Sequence, residues 1–136
     1  MRGYCFDTDT LSAVVRRDPP LLLIRRVATV PPEAQFTTAI TLGELLYGVA
    51  RRGSTELSKR VHRLVDGAVA VLPFDRSAAE TYGWLRAELE SAGTRLAEPD
   101  LRIASIAMVR GLTLVSGNVR HFGRVRGLQL ENWLEG

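Results

Sequence analysis

Short apolar runs alternate along this chain with longer segments whose apolar residues recur at helical spacing. Runs of this length, rich in β-branched residues and bounded by turn residues, predict strands. They occupy residues 4–6, 36–40, 68–74 and 112–115, and residues 127–130 add an edge strand. Strands that alternate with helices form parallel sheets covered on both faces. We therefore expect an α/β fold, a single three-layer domain over residues 1–136 with a mainly parallel central sheet flanked by helices.

The segments between these runs carry helical periodicity and helix stop signals. The predicted helices cover residues 8–17, 21–30, 41–52, 57–68, 75–92 and 99–110. Asp7 or Asp9 can cap the first of them, and Asp75 or Ser77 can cap the fifth. The last is almost wholly apolar over residues 103–109, which predicts a buried helix.

Composition excludes two classes of protein. No apolar run approaches the roughly 18 residues that a membrane span requires, and Asp7 interrupts the stretch that a signal peptide would need. Cys5 is the sole cysteine, so no disulfide can form within the chain. We expect a cytoplasmic protein that does not bind a membrane.

The basic residues are almost all arginine. The net charge is +3, and Lys59 is the only lysine. Arginine suits bidentate contacts with phosphate, but a GC-rich genome produces the same bias, and both explanations stay open. Arginines near the motifs described below are candidates for nucleic-acid contact: Arg16, Arg17, Arg51, Arg52, Arg120, Arg124 and Arg126.

Four polar patches follow predicted strands or open predicted helices. Asp7 and the turn at Ser116, Gly117 and Asn118 (the 116–118 turn) lie at carboxyl ends of strands, where open α/β sheets place their active sites. Glu44 falls in the first turn of the third predicted helix, and Asp100 opens the buried helix. Each patch also has a structural explanation, as helix cap, capping box, dipole partner or turn.

If these patches converge, three carboxylates share a small volume. Like charges at close range disfavour ionisation, and a divalent cation relieves the conflict. A set of oxygen ligands without a cysteine or histidine cluster favours Mg²⁺ or Mn²⁺ over zinc. Asp7, Glu44 and Asp100 are the expected metal-binding residues.

Four motifs resemble those of the PIN-domain ribonucleases, in particular the VapC toxins of bacterial toxin–antitoxin pairs. They are F-D-T-D-T at 6–10, T-x-G-E-L-L-Y-G at 41–48, P-D-L-R-I-A-S-I-A at 99–107 and L-V-S-G-N-V-R-H-F at 114–122. The resemblance covers nearly the whole chain, in matching order and spacing. The chain departs from the family pattern at Ser116, where threonine is common, and at His121, where aspartate is frequent.

This resemblance implies a PIN-like fold and a Mg²⁺-dependent endoribonuclease that cuts structured RNA, such as tRNA or ribosomal RNA, leaving a 3′-hydroxyl and a 5′-phosphate. Asp7 and Asp100 would hold the metal, and Glu44 would complete the cluster directly or through water. Ser116 would orient Asp7 or a metal-bound water, Asn118 would offer a neutral oxygen where some relatives have a fourth carboxylate, and together they would hold the water shell of the metal. The resemblance also implies a homodimer and a cognate VapB-like antitoxin, for which the helices at 21–30 and 57–68 are candidate docking sites.

Three competing interpretations fit parts of the same sequence. F-D-T-D-T also matches the nucleophile motif of haloacid-dehalogenase-like phosphatases, but the chain lacks their late acidic pair. The second is a catalytically silent RNA-binding or antitoxin-binding module on the same fold, and the third is a PIN nuclease of RNA processing. For His121 both a structural role and a role as general acid stay open. Tyr82 is expected in the core, and Trp84 in packing or an interface.

Overall fold

The computed structural model describes residues 2–135 and contains five strands and seven helices over that range. The strands are β1 (Tyr4–Phe6), β2 (Gln35–Thr38), β3 (Ala70–Leu72), β4 (Thr113–Val115) and β5 (Leu130–Glu131). The helices are α1 (Thr8–Val14), α2 (Leu21–Ala28), α3 (Ala39–Arg52), α4 (Thr55–Gly67), α5 (Arg76–Ser91), α6 (Glu98–Val109) and α7 (Val119–Phe122). A short 3₁₀ turn, Pro32–Ala34, precedes β2.

All strand pairs are parallel, and the sheet order is β3-β2-β1-β4-β5. β1 therefore lies at the centre, with Cys5 in register with Phe36 on one side and with Leu114 on the other. Because the strands are parallel, their carboxyl ends share one edge of the sheet. The fold class predicted from the alternation of strands and helices is confirmed.

Helices cover the sheet on both faces, which gives the expected three layers. Cys5 and Leu114 pack into a core with α5 and α6, whereas Phe6 and Val115 pack into a second core with α1 to α4. Successive side chains of a strand point to opposite faces, so β1 and β4 each contribute to both cores. The almost wholly apolar helix predicted over residues 99–110 is α6, and Ile103 within it is fully buried.

The C-terminal segment folds back onto the first strand. The Trp133 ring is 5.0 Å from the Tyr4 ring and 5.5 Å from the Phe6 ring. The Arg26 guanidinium lies over the Trp133 ring, 5.0 Å from its centroid. These contacts make residues beyond β5 part of the domain core. In the part of the chain that is described, no helix is long and apolar enough to cross a membrane.

Two predicted details are wrong. The third helix begins at Ala39 and not at Thr41, because Thr38 caps it: the Thr41 amide donates to Thr38 Oγ1 at 3.0 Å. Glu44 therefore lies in the second helical turn, and the capping box that was the structural explanation for this residue, with Thr41 as its cap, does not form. The four-residue helix α7 also follows the 116–118 turn, where no helix was predicted.

Candidate active site

Asp7 lies at the carboxyl end of β1 and caps α1. Its side chain is buried, with 3% exposure, and it accepts hydrogen bonds from the Thr10 amide at 2.9 Å and from Ser116 Oγ at 2.5 Å. Burial raises the pKa of Asp7, while the bonds from Ser116 and Thr10 oppose that rise. The cap and the site are thus one arrangement, since each carboxylate oxygen keeps a further lone pair for another ligand.

The 116–118 turn follows β4 directly, so it lies next to Asp7 at the same sheet edge. Ser116 is fully buried; its hydroxyl donates to Asp7 and accepts from the Asn118 amide at 2.9 Å. The Asn118 side chain reaches further, with Nδ2 donating to Asp100 Oδ2 at 3.5 Å. This turn therefore links the carboxylates of the first and third predicted acidic positions.

Asp100 is the third residue of α6 and is half-buried. Its pKa is raised to about 6, first by burial and then by the negative charges of Asp7, Glu44 and Asp9. The charge of His121 acts in the opposite direction. The hydrogen bonds from Ser116 to Asp7 and from Asn118 to Asp100 place these two acids in one region of the structure.

Glu44 approaches this region from α3 and is exposed to solvent. Its Oε1 accepts a hydrogen bond from Thr8 Oγ1 at 2.5 Å. Thr8 is the residue after Asp7, so this bond holds the exposed glutamate beside the start of α1. We call the carboxyl edge of the sheet around Asp7 and Asp100 the acidic edge. The Glu44 side chain faces this edge from α3, a different helix from those at whose starts Asp7 and Asp100 lie.

The carboxylates are near one another without forming a closed cage. Within residues 2–135, no group of three or more histidine, cysteine, aspartate or glutamate side chains is arranged to hold an ion directly. Mg²⁺ keeps several waters and is commonly bound through only one or two carboxylates. These oxygen donors therefore fit a hard divalent cation that keeps part of its water shell.

Sequence reasoning missed several threonines that build this edge. Thr10 donates from Oγ1 to the Val115 carbonyl at 3.0 Å, and Thr37 donates to the Phe6 carbonyl at 2.7 Å. Thr8, which orients Glu44, was also missed. Thr10 and Thr37 each donate a side-chain hydrogen bond to a backbone carbonyl at the carboxyl end of a neighbouring strand, and the sequence pattern gives no direct signal for such bonds.

Most of the remaining candidates lie on the surface. All seven candidate arginines are exposed. Tyr82 packs its ring against the core as expected, and its hydroxyl donates to Glu98 at 2.7 Å. Trp84 is 58% exposed, so it is available to an interface and does not pack in the core. His121 contacts Asn118 Oδ1 at 2.6 Å through Nδ1.

The fold and the site define an α/β protein that gathers carboxylates at the carboxyl edge of a parallel sheet, an arrangement that fits a nuclease. Comparison with known protein families supports a nuclease, since the sequence model of the family described as "PIN domain" matches residues 4–128. The chain belongs to the PIN-domain family. The resemblance seen in the four motifs is thus confirmed, and the protein is a nuclease, a hydrolase of phosphodiester bonds.

Individual relatives lie among the VapC ribonucleases. The "tRNA(fMet)-specific endonuclease VapC" of Shigella flexneri is 37% identical over 136 residues, covering 98% of this chain and 99% of that protein. DNA-bound VapBC from Salmonella typhimurium has a TM-score of 0.84 at 30% identity, covering 98% and 99%. VapBC-5 from Mycobacterium tuberculosis, described as a member of a family of toxin–antitoxin systems, has a TM-score of 0.70 at 25% identity, covering 97% and 98%. Membership of this family leaves the phosphatase interpretation without support.

Proposed function

We propose that the protein is a Mg²⁺-dependent endoribonuclease toxin that cuts structured RNA and is inhibited by a cognate VapB-like antitoxin. A tRNA is the first substrate to test, because the Shigella flexneri relative is named for tRNA(fMet); ribosomal RNA is the second. The nuclease domain would occupy residues 1–136 and act in the cytoplasm.

The observation that carries this proposal is the hydrogen-bonded link between two acids from distant parts of the chain. Ser116 bonds Asp7, and Asn118, two residues later, bonds Asp100. The charges of Asp7 and Glu44 help to raise the pKa of Asp100 to about 6, so the linked acids repel one another. A helix cap does not require such repulsion, whereas perturbed carboxylates grouped in this way are typical of functional sites.

The residues present fit a hard divalent cation. Asp7 and Asp100 would hold it through oxygen. The proposed ligands include no cysteine or histidine, which are the residues that would favour a softer metal. When bound, such a cation supplies Lewis acidity, a lowered pKa for water and a template for the phosphate. Mn²⁺ shares these preferences and would serve as a replacement.

The chain's own residues would then divide the remaining tasks. Glu44, held by Thr8, would orient the attacking water and accept its proton. Ser116 holds Asp7 in place, and Asn118 holds Asp100. These two hydrogen bonds fix the carboxylates before substrate arrives, and loss of such supporting bonds commonly lowers activity about 10- to 100-fold.

RNA would approach an acidic edge only with help from cations around it. The exposed arginines on α7 and after it, Arg120, Arg124 and Arg126, follow the 116–118 turn in sequence and are the first candidates to test. Arginine binds phosphate through its planar fork. We propose that they guide the RNA backbone to the site.

The antitoxin is proposed to dock on α2. Leu21 and Leu22 on this helix are 62% and 54% exposed, whereas Val61 on α4 is fully buried and belongs to the core. Of the two helices predicted for docking, α2 therefore offers the freer apolar surface. Leu22→Asp should weaken capture by a VapB-like antitoxin without changing RNA cleavage.

Sedimentation of the purified chain would test the proposed homodimer.

The deciding experiment incubates the purified chain with total tRNA and with ribosomal RNA. We expect cleavage with Mg²⁺ or Mn²⁺, none with excess EDTA, and none for Asp7→Asn or Asp100→Ala, both folded by circular dichroism. An Asp7→Asn variant that cuts RNA at the wild-type rate would refute the assignment. Products that carry 3′-hydroxyl and 5′-phosphate ends are expected from attack by water.

A catalytically silent binding module is the second candidate. It is favoured by one observation, the absence of a closed three-acid cluster within residues 2–135. Such a module would bind RNA or the antitoxin equally well with Mg²⁺ and with EDTA, and would leave RNA intact. Titration with metal during a binding assay separates it from the nuclease.

A further inference from the structure

His121 lies on α7, and its ring orientation is fixed by a chain of hydrogen bonds. Asn118 Nδ2 donates to Asp100 Oδ2 at 3.5 Å, and Asn118 Oδ1 lies 2.6 Å from His121 Nδ1. An ionised carboxylate can accept hydrogen bonds but cannot donate them. The Asn118 amide therefore turns its nitrogen to Asp100 and its oxygen to the His121 ring. Nδ1 must then carry a hydrogen, because an amide oxygen can only accept.

This arrangement leaves Nε2 as the ring nitrogen available to substrate. The side chain is exposed, and Nε2 has no hydrogen-bond partner within residues 2–135. The ring lies beside the acidic edge, because the Asn118 side chain that it contacts at 2.6 Å also bonds Asp100. The other charged groups of that edge are Asp7, Asp9 and Glu44.

The acidic edge contains residues that accept protons but lacks an assigned proton donor. Hydrolysis that leaves a 3′-hydroxyl breaks the bond between phosphorus and the 3′-oxygen, and this oxygen leaves as an alkoxide unless it receives a proton. His62, the other histidine of the chain, lies on α4 and bonds the Ser58 carbonyl. His121 is thus the one imidazole that the structure places at this edge.

We propose that His121, positioned by Asn118, donates a proton from Nε2 to the leaving 3′-oxygen. This inference rests on the proposed ribonuclease function. The water oxygen forms a bond to phosphorus as the bond to the 3′-oxygen breaks, and the electron pair of the broken bond moves to that oxygen. The oxygen takes the Nε2 proton of the imidazolium, which leaves a neutral ring with its hydrogen on Nδ1. The proton of the water passes to Glu44, and the ring regains its second proton from solvent.

Two variants isolate Nε2. His121→Asn keeps a donor near the position of Nδ1 and removes Nε2, whereas His121→Gln places near Nε2 an amide that can hydrogen-bond but cannot transfer a proton. His62→Asn is the matched control, since it makes the same exchange at an exposed histidine on α4. Circular dichroism and thermal unfolding would verify that all three fold.

The assay compares two leaving groups. The cut position is first mapped with the wild-type chain on tRNA(fMet). Two oligonucleotides that span it are then made, each 2′-deoxy at that nucleotide, one with the natural 3′-oxygen and one with a bridging 3′-sulfur. A thiol has a pKa of about 8.5, so sulfur leaves as the thiolate without a proton donor.

On the oxygen substrate we expect both His121 variants to lower kcat by about 10²- to 10³-fold, the usual contribution of acid–base catalysis, with KM within about 2-fold of the wild type. On the sulfur substrate we expect both to cleave within about 3-fold of the wild type, because no proton transfer is needed there. His62→Asn should match the wild type on both substrates.

Several outcomes would overturn the proposal. Equal losses on both substrates would show that the ring only supports the fold of the site, and unchanged cleavage of the oxygen substrate would show that no proton comes from His121. In both cases the wild type still cuts RNA and the proposed ribonuclease stands. A wild-type chain that is as inactive as Asp7→Asn would instead remove both proposals.

Discussion

Asp100→Asn should stabilise the free protein at neutral pH although it removes a residue proposed for catalysis. The exchange keeps the shape of the side chain and an oxygen that can accept from Asn118. It removes the negative charge that burial and the neighbouring acids disfavour. Repulsion among Asp7, Glu44 and Asp100 is thereby relieved without a cation.

The magnitude follows from the raised pKa. A rise from 3.8 to about 6 corresponds to about 3 kcal/mol between the two protonation states. Because Asp100 is half exposed and solvent screens its charge, we reduce the expected effect on the free energy of unfolding to about 1 kcal/mol. For a domain of this size, that is a rise in Tm of about 3 °C.

The effect of pH on stability that Asp100 causes is opposite in sign to the effect of a salt-bridged carboxylate. Since the folded-state pKa of Asp100 is raised, the folded protein binds the proton more tightly than the unfolded chain. Ionisation of Asp100 therefore does not lower the free energy of unfolding below about pH 4, and it lowers that free energy progressively as the pH rises from about 4 to about 6. Asp100→Asn should match the wild type at about pH 3.5 and exceed it in stability at pH 7.

Urea unfolding from about pH 3.5 to pH 8, in EDTA, measures this difference. Glu98→Gln is the control, because Glu98 lies in the same first turn of α6 but is exposed and paired with Arg86 and Arg102. It should not stabilise the protein at pH 7. Mg²⁺ at about 100 times its Kd should add about 2.7 kcal/mol to the wild type and far less to Asp100→Asn. No gain at pH 7, or an equal gain at pH 3.5, would refute the reasoning.

Two further substitutions test the supports of the site. Ser116→Ala removes the hydroxyl that donates to the buried Asp7. It should lower the free energy of unfolding at pH 7 by about 1.5–3 kcal/mol and lower kcat about 10- to 100-fold. Unfolding in urea and RNA cleavage measure the two effects, and a stable, fully active variant would contradict them. Glu44→Gln should lower kcat about 10²-fold or more while stability changes by less than about 0.5 kcal/mol, because the side chain is exposed; a comparable loss of stability would mean that Glu44 is a structural residue.

Periodicity was sufficient to predict the order and type of the longer elements. The alternation of apolar runs with helical segments identified the first four strands, and the all-apolar centre of α6 identified the helix buried in the core. The edge strand predicted over residues 127–130 instead spans Leu130–Glu131, so only Leu130 was placed correctly. It could not identify α7, because four residues are about one turn and carry no repeat. The boundary between β2 and α3 was also displaced, since a β-branched run looks the same whether its last threonine ends a strand or caps a helix.

The site was predictable where one rule of topology applied. Carboxyl ends of parallel strands share an edge, which was enough to bring Asp7 and Ser116 together. Asp100 and Glu44 lie on helices, and their approach depends on how α6 and α3 pack against the sheet. The hydrogen bonds of Asn118 and Thr8 that complete the arrangement have no signal in the spacing of the sequence.

The displaced start of α3 leads to a test that separates the two threonines. Thr38 accepts the Thr41 amide and is the cap, whereas Thr41 contributes its side chain only through contacts of 3.3 Å. Both residues are fully buried, and valine has nearly the same shape as threonine. Thr38→Val should therefore cost about 1–2 kcal/mol, because it removes a cap and leaves a buried amide without its partner.

Thr41→Val keeps the backbone amide and its cap, so it should cost less than about 1 kcal/mol. Urea unfolding of the two variants at pH 7 measures the difference, and each serves as the control for the other. If Thr41→Val were the more costly change, the helix would begin where the sequence pattern placed it. Glu44 would then return to the first turn, and its bond to Thr8 would need another explanation.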